Sequence, residues 1–490
     1  MTICGTTART KTRSRIVPIA LILFTLGGCS FAPKHVRPAA PVPPRFPGTN
    51  PGGATIAAIG WQAFFRDPEL QRLIALALAN NRDIRVAAAR VLEARGAWRI
   101  QGAALYPQID GAVAATRGRT LYNLPGSAST PVDVRSIGVQ ANAAWEIDFW
   151  GRLRNLRDAA RWQYLATEEA RRGVATQLIA QVANGYLLER EYQERADLAR
   201  RTISTREESL RIVRRRYEVG SGSKLDMTQA QALLGQARAA LQALEQDQEV
   251  NRNALALLVG QPVTLTASDR RFAQITTYLQ LPPGLPSDLL TNRPDIVAAE
   301  RQLLAANANI GAARAAFFPN ITLTAGGGIA STSLGDLFSS PTGVWSFAPS
   351  LTLPIFNAGR LRANLDVAEA RKILAVAEYE RAIQIAFRDV ADALARRRQL
   401  SLQIETTRGV LDALTERARL ATLRFDNGRS AYLEVLDAQR DLFDTQQLLV
   451  QLRRAEVASG VALYAALGGG FAPQPVFDSD AVATGRTPAP

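Results

Sequence analysis

The chain has 490 residues, 47% of them hydrophobic and 21% charged, long enough for two or three ordinary domains and too apolar to be disordered. Its 58 basic residues against 44 acidic give +14, but the arginines are dispersed among glutamates along helical stretches with no basic block interleaved with aromatics, which argues for solvated helix faces and against nucleic acid. Two cysteines, Cys4 and Cys29, exclude a disulfide framework, and a single histidine, His35, excludes histidine-based triads and histidine-rich metal sites.

Arg9, Lys11, Arg13 and Arg15 precede an apolar stretch from Ile16 to Leu26 that is too short to span a bilayer, so residues 1–28 read as a secretory signal peptide. Its end, Leu26-Gly27-Gly28-Cys29, resembles the bacterial lipobox. That resemblance implies cleavage before Cys29 and a covalent diacylglycerol and N-acyl lipid on it. Ser30 stands where retained inner-membrane lipoproteins resemble one another in having Asp, which points to the outer membrane. The prolines from Pro33 to Pro51 favour extended chain, so residues 29–60 are expected to form a lipidated tether, with His35 inside it.

The body is one unit written twice. Residues 216–260 align with 424–468 without a gap: Tyr217 with Phe425, Gly220 with Gly428, Leu225 with Leu433, Gln231 with Gln439, Gly260 with Gly468. Gly151-Arg152-Leu153-Arg154 pairs with Gly359-Arg360-Leu361-Arg362 at the same offset of 208, and Tyr106-Pro107 with Phe318-Pro319 at 212. Asn81, Arg82, Asp83 and Ile84 are matched with Asn292, Arg293, Asp295 and Ile296, each set opening an alanine-rich helix. Repeat 1 is placed at 61–261 and repeat 2 at 285–469, with a linker at 262–284 and a flexible tail at 470–490.

Within each repeat the order reads helix, two strands, very long helix, turn, helix. Period-two alternation predicts strands at about 108–119 and 134–149, and again at about 319–333 and 344–356. Ile109, Val113, Ile137, Val139 and Trp145 fall on one side, as do Ile321, Leu323, Trp345, Phe347 and Leu351, opposite small or polar residues. This suits either a water-filled barrel in lipid or a half-buried soluble sheet, and the export signal favours the barrel. Gly326, Gly327 and Gly328 lie in this strand pattern with no Lys-Ser after them, so they mark a bend or close approach, not a nucleotide loop. Four strands cannot close, and open edges cannot face hydrocarbon. Three chains would supply twelve strands.

No proline interrupts about 152–217 or 360–426, so each stretch is predicted to run as one helix of roughly 100 Å. Ala230, Leu233, Ala237, Ala240, Leu244, Asp247, Asn251, Ala254 and Leu258 step by three and four as a coiled-coil seam. The helices reverse at tips placed at 219–223 and 427–431, through Gly220, Ser221, Gly222 and Ser223 and through Asn427, Gly428, Arg429 and Ser430.

Taken together, the lipobox, the run Trp145-Glu146-Ile147-Asp148-Phe149-Trp150-Gly151-Arg152-Leu153, the segment Leu353-Pro354-Ile355-Phe356 before Gly359-Arg360-Leu361, the twin glycine turns and Leu436-Asp437-Ala438-Gln439-Arg440 resemble the TolC-like outer-membrane factors, in their lipoprotein (OprM and NodT-type) branch. The resemblance covers roughly residues 60–470. It implies a mainly α protein with a membrane β-barrel: a homotrimer whose twelve-stranded barrel in outer-membrane lipid is continued by twelve helices across the periplasm. It implies two partners, a periplasmic adaptor met by the tips (Gly220, Ser221, Gly428, Ser430) and an inner-membrane RND (resistance-nodulation-division) transporter. No enzyme, cofactor or metal is expected.

Leu433, Asp437 and Arg440 lie at i, i+4 and i+7 just past the second tip, where the first repeat has Leu225, Gln229 and Ala232. In the resembling family this stretch is the periplasmic constriction, so these three are expected to form a gate, with Asp437 and Arg440 paired within or between chains. Two rivals remain at this stage: the channel of a type I protein secretion system, and a structural coiled-coil envelope lipoprotein.

Overall fold

A computed structural model describes residues 30–46, 60–122, 130–265, 286–339 and 341–469. The signal peptide with Cys29, most of the linker and the tail lie outside the described residues. The elements in order are α1 (Trp61–Phe64), α2 (Pro68–Asn80), α3 (Arg82–Ala103), β1 (Gln108–Tyr122), β2 (Thr130–Ile147), α4 (Arg152–Glu218), α5 (Lys224–Val259), α6 (Pro286–Asn292), α7 (Pro294–Ala315), β3 (Asn320–Ser331), β4 (Gly343–Thr352), α8 (Arg360–Asp426) and α9 (Tyr432–Ala466). The described chain sorts into two compact units. One holds 95–163, 302–375 and the residues before Pro38; the other holds 38–94, 164–301 and the rest beyond 376.

The repeat is visible in backbone geometry. α4 and α8 each have 67 residues, so each runs roughly 100 Å. Three glycine pairs 208 residues apart share a left-handed backbone: Gly151 and Gly359 before the long helices, Gly220 and Gly428 at the tips, Gly260 and Gly468 at the far helix ends. Only glycine adopts that conformation without steric cost. One match shifts, however. α3 and α7 are both 22 residues long and start at Arg82 and Pro294, an offset of 212, so Asn80 corresponds to Asn292 and Asn81 to Arg293. The Asn-Arg identity in sequence is one residue out of structural register, because Pro294 takes the first helical position, where its missing N–H costs nothing.

In the first unit the four strands form one antiparallel sheet in the order β1-β2-β3-β4. β2 starts at Thr130, ahead of the alternating run, with Pro131 opposite Leu121 close to the strand's beginning, where proline is tolerated. β4 stops at Thr352, short of the expected end, since Pro354 has no N–H to continue the ladder. Pro349 lies within β4, opposite Leu323.

In the second unit a core joins both repeats. Phe64 and Phe65 of the first pack with Tyr464 of the second, and Leu73, Ile74, Ile179, Val182, Ile383 and Val390 complete the apolar contacts. Asp67 caps α2 by accepting from the N–H of Glu69 and of Leu70, and also accepts from the Tyr186 hydroxyl at 2.9 Å. Burial and the nearby carboxylate push that phenol well above its ordinary range.

The coiled-coil seam of α5 departs from the expected positions. Ala230, Leu233, Ala237, Leu244 and Asn251 are buried as read, but Asp247 and Ala254 are exposed, and Leu255 and Val259 take the inside. A helix of 3.6 residues per turn drifts from a 3.5-residue repeat, so a strict three-four step leaves the contact face. Gly185 of α4 allows the close approach there, since a Cβ on it would lie 2.6 Å from the Leu255 side chain.

The described part of the proline-rich segment, residues 30–46, carries no helix or strand and is not detached. In the first unit Ser30 Oγ donates to Asn155 Oδ1 at 3.0 Å and Phe31 stacks on Phe318 with ring centroids 4.8 Å apart. In the second, Phe46 is buried against Phe387.

Candidate functional site

The sheet register assigns a chemistry to each face. Ile109 stands opposite Ala143, Val113 opposite Val139, Trp145 opposite Leu323, Ile321 opposite Leu351 and Ala325 opposite Phe347, so the large apolar residues of the four strands share one face, whose β1–β2 turn end carries Arg117, Arg119, Asp133 and Arg135. Asp110 with Asn142, Thr116 with Ser136, Glu146 with Thr322, and Gly326 with Ser346 line the other. Trp345 is 83% and Leu351 65% exposed, far more apolar surface than water-facing strands leave open. Among the described residues β1 and β4 pair on one side only.

The glycine run explains its own composition. A Cβ on Gly328 would lie 2.1 Å from the Val139 carbonyl oxygen, and one on Gly326 would press on the Asn142 and Ser346 side chains, whereas one on Gly327 meets nothing. The polar face is therefore crowded by its neighbours' amides, and glycine is the residue that fits.

The Trp145-to-Arg152 run builds the junction between sheet and helix. Trp145 Nε1 donates to the Leu105 carbonyl and Trp150 Nε1 to the Pro319 carbonyl. Glu146 takes a forked pair from Arg152, and Asp148 accepts from the N–H of Leu153 and of Arg154, capping α4. Trp150 stacks on Phe318 at 4.7 Å. Indoles with an apolar body and a bonded N–H suit the boundary between lipid and water.

In the second unit, each tip is closed the same way. The N–H of Gly220 and Ser221 donate to the carbonyls of Tyr217 and Arg216, and those of Gly428 and Arg429 to Phe425 and Arg424. A Cβ on Gly220 or Gly428 would meet no atom, so both glycines are demanded by backbone angle alone. Ser221 Oγ donates to the Arg216 carbonyl, while Ser430 Oγ is buried with no hydrogen-bond partner among the described residues.

Leu433, Asp437 and Arg440 share one face of α9. Tyr432, Val435, Leu436 and Ala438 point into the packed ends of α4, α5, α8 and α9, and leave Leu433 51% exposed. Arg440 Nη2 lies 3.2 Å from Asp437 and 3.4 Å from Asp441, and Asp441 in turn pairs with Arg417 of α8 at 2.8 Å. Within the single chain, the Asp437–Arg440 contact lies along one helix.

The contacts that tie one hairpin to the other come from residues that sequence reading passed over. Arg206 of α4 is buried, donates to the Leu233 carbonyl at 2.8 Å and lies over the Phe443 ring of α9. Arg216 lies over Phe425 and reaches Asp426. A solvated-face reading of helical arginines holds for pairs such as Glu208–Arg211 but fails at Arg206. The available signal was weak: both arginines sit near aromatics only after the hairpins pack.

A sequence profile described as "Outer membrane efflux protein" matches residues 73–261 and 285–469, one segment per repeat. The solvent efflux pump outer membrane protein SrpC of Pseudomonas putida is 44% identical over 459 residues, 92% of this chain and 97% of that protein. The cation efflux system protein CusC of Escherichia coli K12 is 40% identical over 460 residues, 93% of this chain and 99% of that protein. Among solved structures, the open state of the MtrE outer membrane channel of Neisseria gonorrhoeae superposes with a TM-score of 0.80 at 37% identity, covering 90% of this chain and 98% of that one.

Proposed function

The chain belongs to the outer membrane efflux protein family, and on that premise we propose that three copies close their sheets into one twelve-stranded barrel that passively conducts solutes out of the cell. Its fold is that of the TolC-like outer-membrane channels, and its place is the outer membrane with extension into the periplasm. It serves as the outer-membrane channel component of an efflux pump. The observation that carries the trimeric reading is the sheet register. A sheet whose large apolar residues share one face, with two edges unpaired among the described residues, is stable in hydrocarbon only when those edges are paired, and four strands are too few to close alone.

In this reading Cys29 carries the lipid, and the tips at Gly220, Ser221, Gly428 and Ser430 meet a periplasmic adaptor bound to an inner-membrane transporter of the RND type. The face of Leu433, Asp437 and Arg440 narrows the periplasmic mouth. The chain carries out no chemical step, and the choice of solute rests with the pump. Purified protein in planar bilayers tests the proposal: stepwise single-channel currents from a species with the mass of three chains are expected. Trimers that leave the bilayer resistance unchanged would return the structural-lipoprotein reading.

A further inference from the structure

The two hairpins of one chain meet through a contact whose two halves the repeat supplies twice. Arg216, close to the end of α4, holds its guanidinium carbon 4.8 Å from the ring centroid of Phe425 on α8. Its Nη2 lies 3.5 Å from the carboxylate of Asp426. The offset of 208 carries Arg216 onto Arg424, and carries Tyr217 and Glu218 onto Phe425 and Asp426. The chain therefore holds two arginines and two receptors, each receptor an aromatic ring followed by an acid. Of these two repeat-related arginines, Arg216 is the one that meets its receptor within the chain, among the described residues.

The second set is left accessible. Tyr217 is 40% exposed. Glu218 makes a 3.4 Å contact with Arg215, both side chains at least half exposed. Among the described residues the Arg424 side chain makes polar contacts only at the long limit, 3.6 Å to Glu434 and 3.5 Å to the Arg429 carbonyl. Pairs this long and this exposed exchange partners at little cost. We infer that Arg424 of one copy lies over Tyr217 and pairs with Glu218 of the next copy, repeating between chains the contact that Arg216 makes within one.

The inference rests on the trimeric reading above and adds a residue-level contact to it. A head-to-tail contact made from two different surfaces closes into a ring when its rotation permits. Two repeats in each of three chains give six such junctions, alternately within and between chains. The occupant is a second copy because the receptor is the chain's own repeat: arginine, then ring, then acid in both places, with Tyr for Phe and Glu for Asp keeping the π face and the charge.

The test uses the full-length protein in cells. Glu218→Cys and Arg424→Cys are combined and treated with a short bifunctional methanethiosulfonate. Covalent dimers and trimers are expected on a denaturing gel from the double variant, and monomers from either single variant. Monomers alone, from protein whose native mass is that of three chains, overturn this contact and leave the trimer standing; a native mass of one chain overturns both. Charge reversal gives an independent arm. Glu218→Arg or Arg424→Glu alone is expected to lower several-fold the trimer that survives dilution at low salt, and the double reversal to restore it. Failure of the double reversal to restore the trimer counts against the pair.

Discussion

Arg293 donates to the carbonyl of Ala466 at 3.1 Å, tying the start of α7 to the last turn of α9. The corresponding carbonyl of the first repeat, Leu258, accepts instead from the side-chain amide of Asn81. Arg293 also pairs with Asp389 at 2.8 Å and is nearly buried, while Arg82, its apparent match in sequence, is exposed. Arg293→Ala should cost about 1.5 to 3 kcal/mol, the range for hydrogen bonds to charged groups, and Arg82→Ala about 0.5 kcal/mol or less. Urea unfolding of the two variants distinguishes them, and equal midpoints would show the register shift to be without consequence.

The same pair sets a pH dependence. Burial opposes ionisation of Asp389, but its hydrogen bonds to Arg293 and Arg388 outweigh it and hold the carboxyl below its ordinary value. A depressed acid stabilises the fold at every pH above its unfolded value and loses that contribution as pH falls through the folded one. Asp389→Asn should therefore lower stability at neutral pH and flatten the loss in the acid limb below about pH 4. Thermal unfolding across that range measures it.

Gly327 and Gly328 differ in what a methyl group would meet. Gly328→Ala forces the β2–β3 ladder apart, at about 1 to 3 kcal/mol by the usual cost of overpacking. Gly327→Ala adds a methyl to the open apolar face. The yield of heat-resistant trimer in outer-membrane fractions should fall for the first variant and hold for the second.

Conductance tests the gate. An exposed ion pair is worth about 0 to 1 kcal/mol, little enough for an adaptor to overcome. Asp437→Ala with Arg440→Ala should raise the conductance of the isolated trimer at low salt, and added salt should partly reproduce the change in the unsubstituted protein by screening. Equal conductance at low salt would falsify the gate assignment and leave the channel itself intact.

At the tips, Gly428→Val places a β-branched residue at φ 68°, a strain of about 1 to 3 kcal/mol. It should weaken adaptor capture without loss of the trimer. Cysteines at Ser221 and Ser430 should crosslink to the adaptor in cells, and their consistent failure to do so would remove the tips from the docking surface.

Labelling with radioactive palmitate tests the anchor. The label should be lost in Cys29→Ser, and persistent label would mean that the lipid lies elsewhere.

The sequence by itself determined whatever depends on local periodicity. Alternation placed Trp145, Leu323 and Phe347 on one face of their strands, uninterrupted helix-forming stretches set the lengths of α4 and α8, and glycines 208 residues apart marked the reversals. Each of these follows from the backbone's own repeat and needs no distant partner. The tertiary structure alone decided which polar groups are buried and which residues continue a seam. Arg206 reads like any solvated arginine until Phe443 and Leu233 close over it, and Leu255 replaces Ala254 inside because the real helical period is not 3.5. The contacts that Asn81 and Arg293 make with matching carbonyls likewise appear only once α5 and α9 have packed, since burial and pairing depend on residues far apart in the chain.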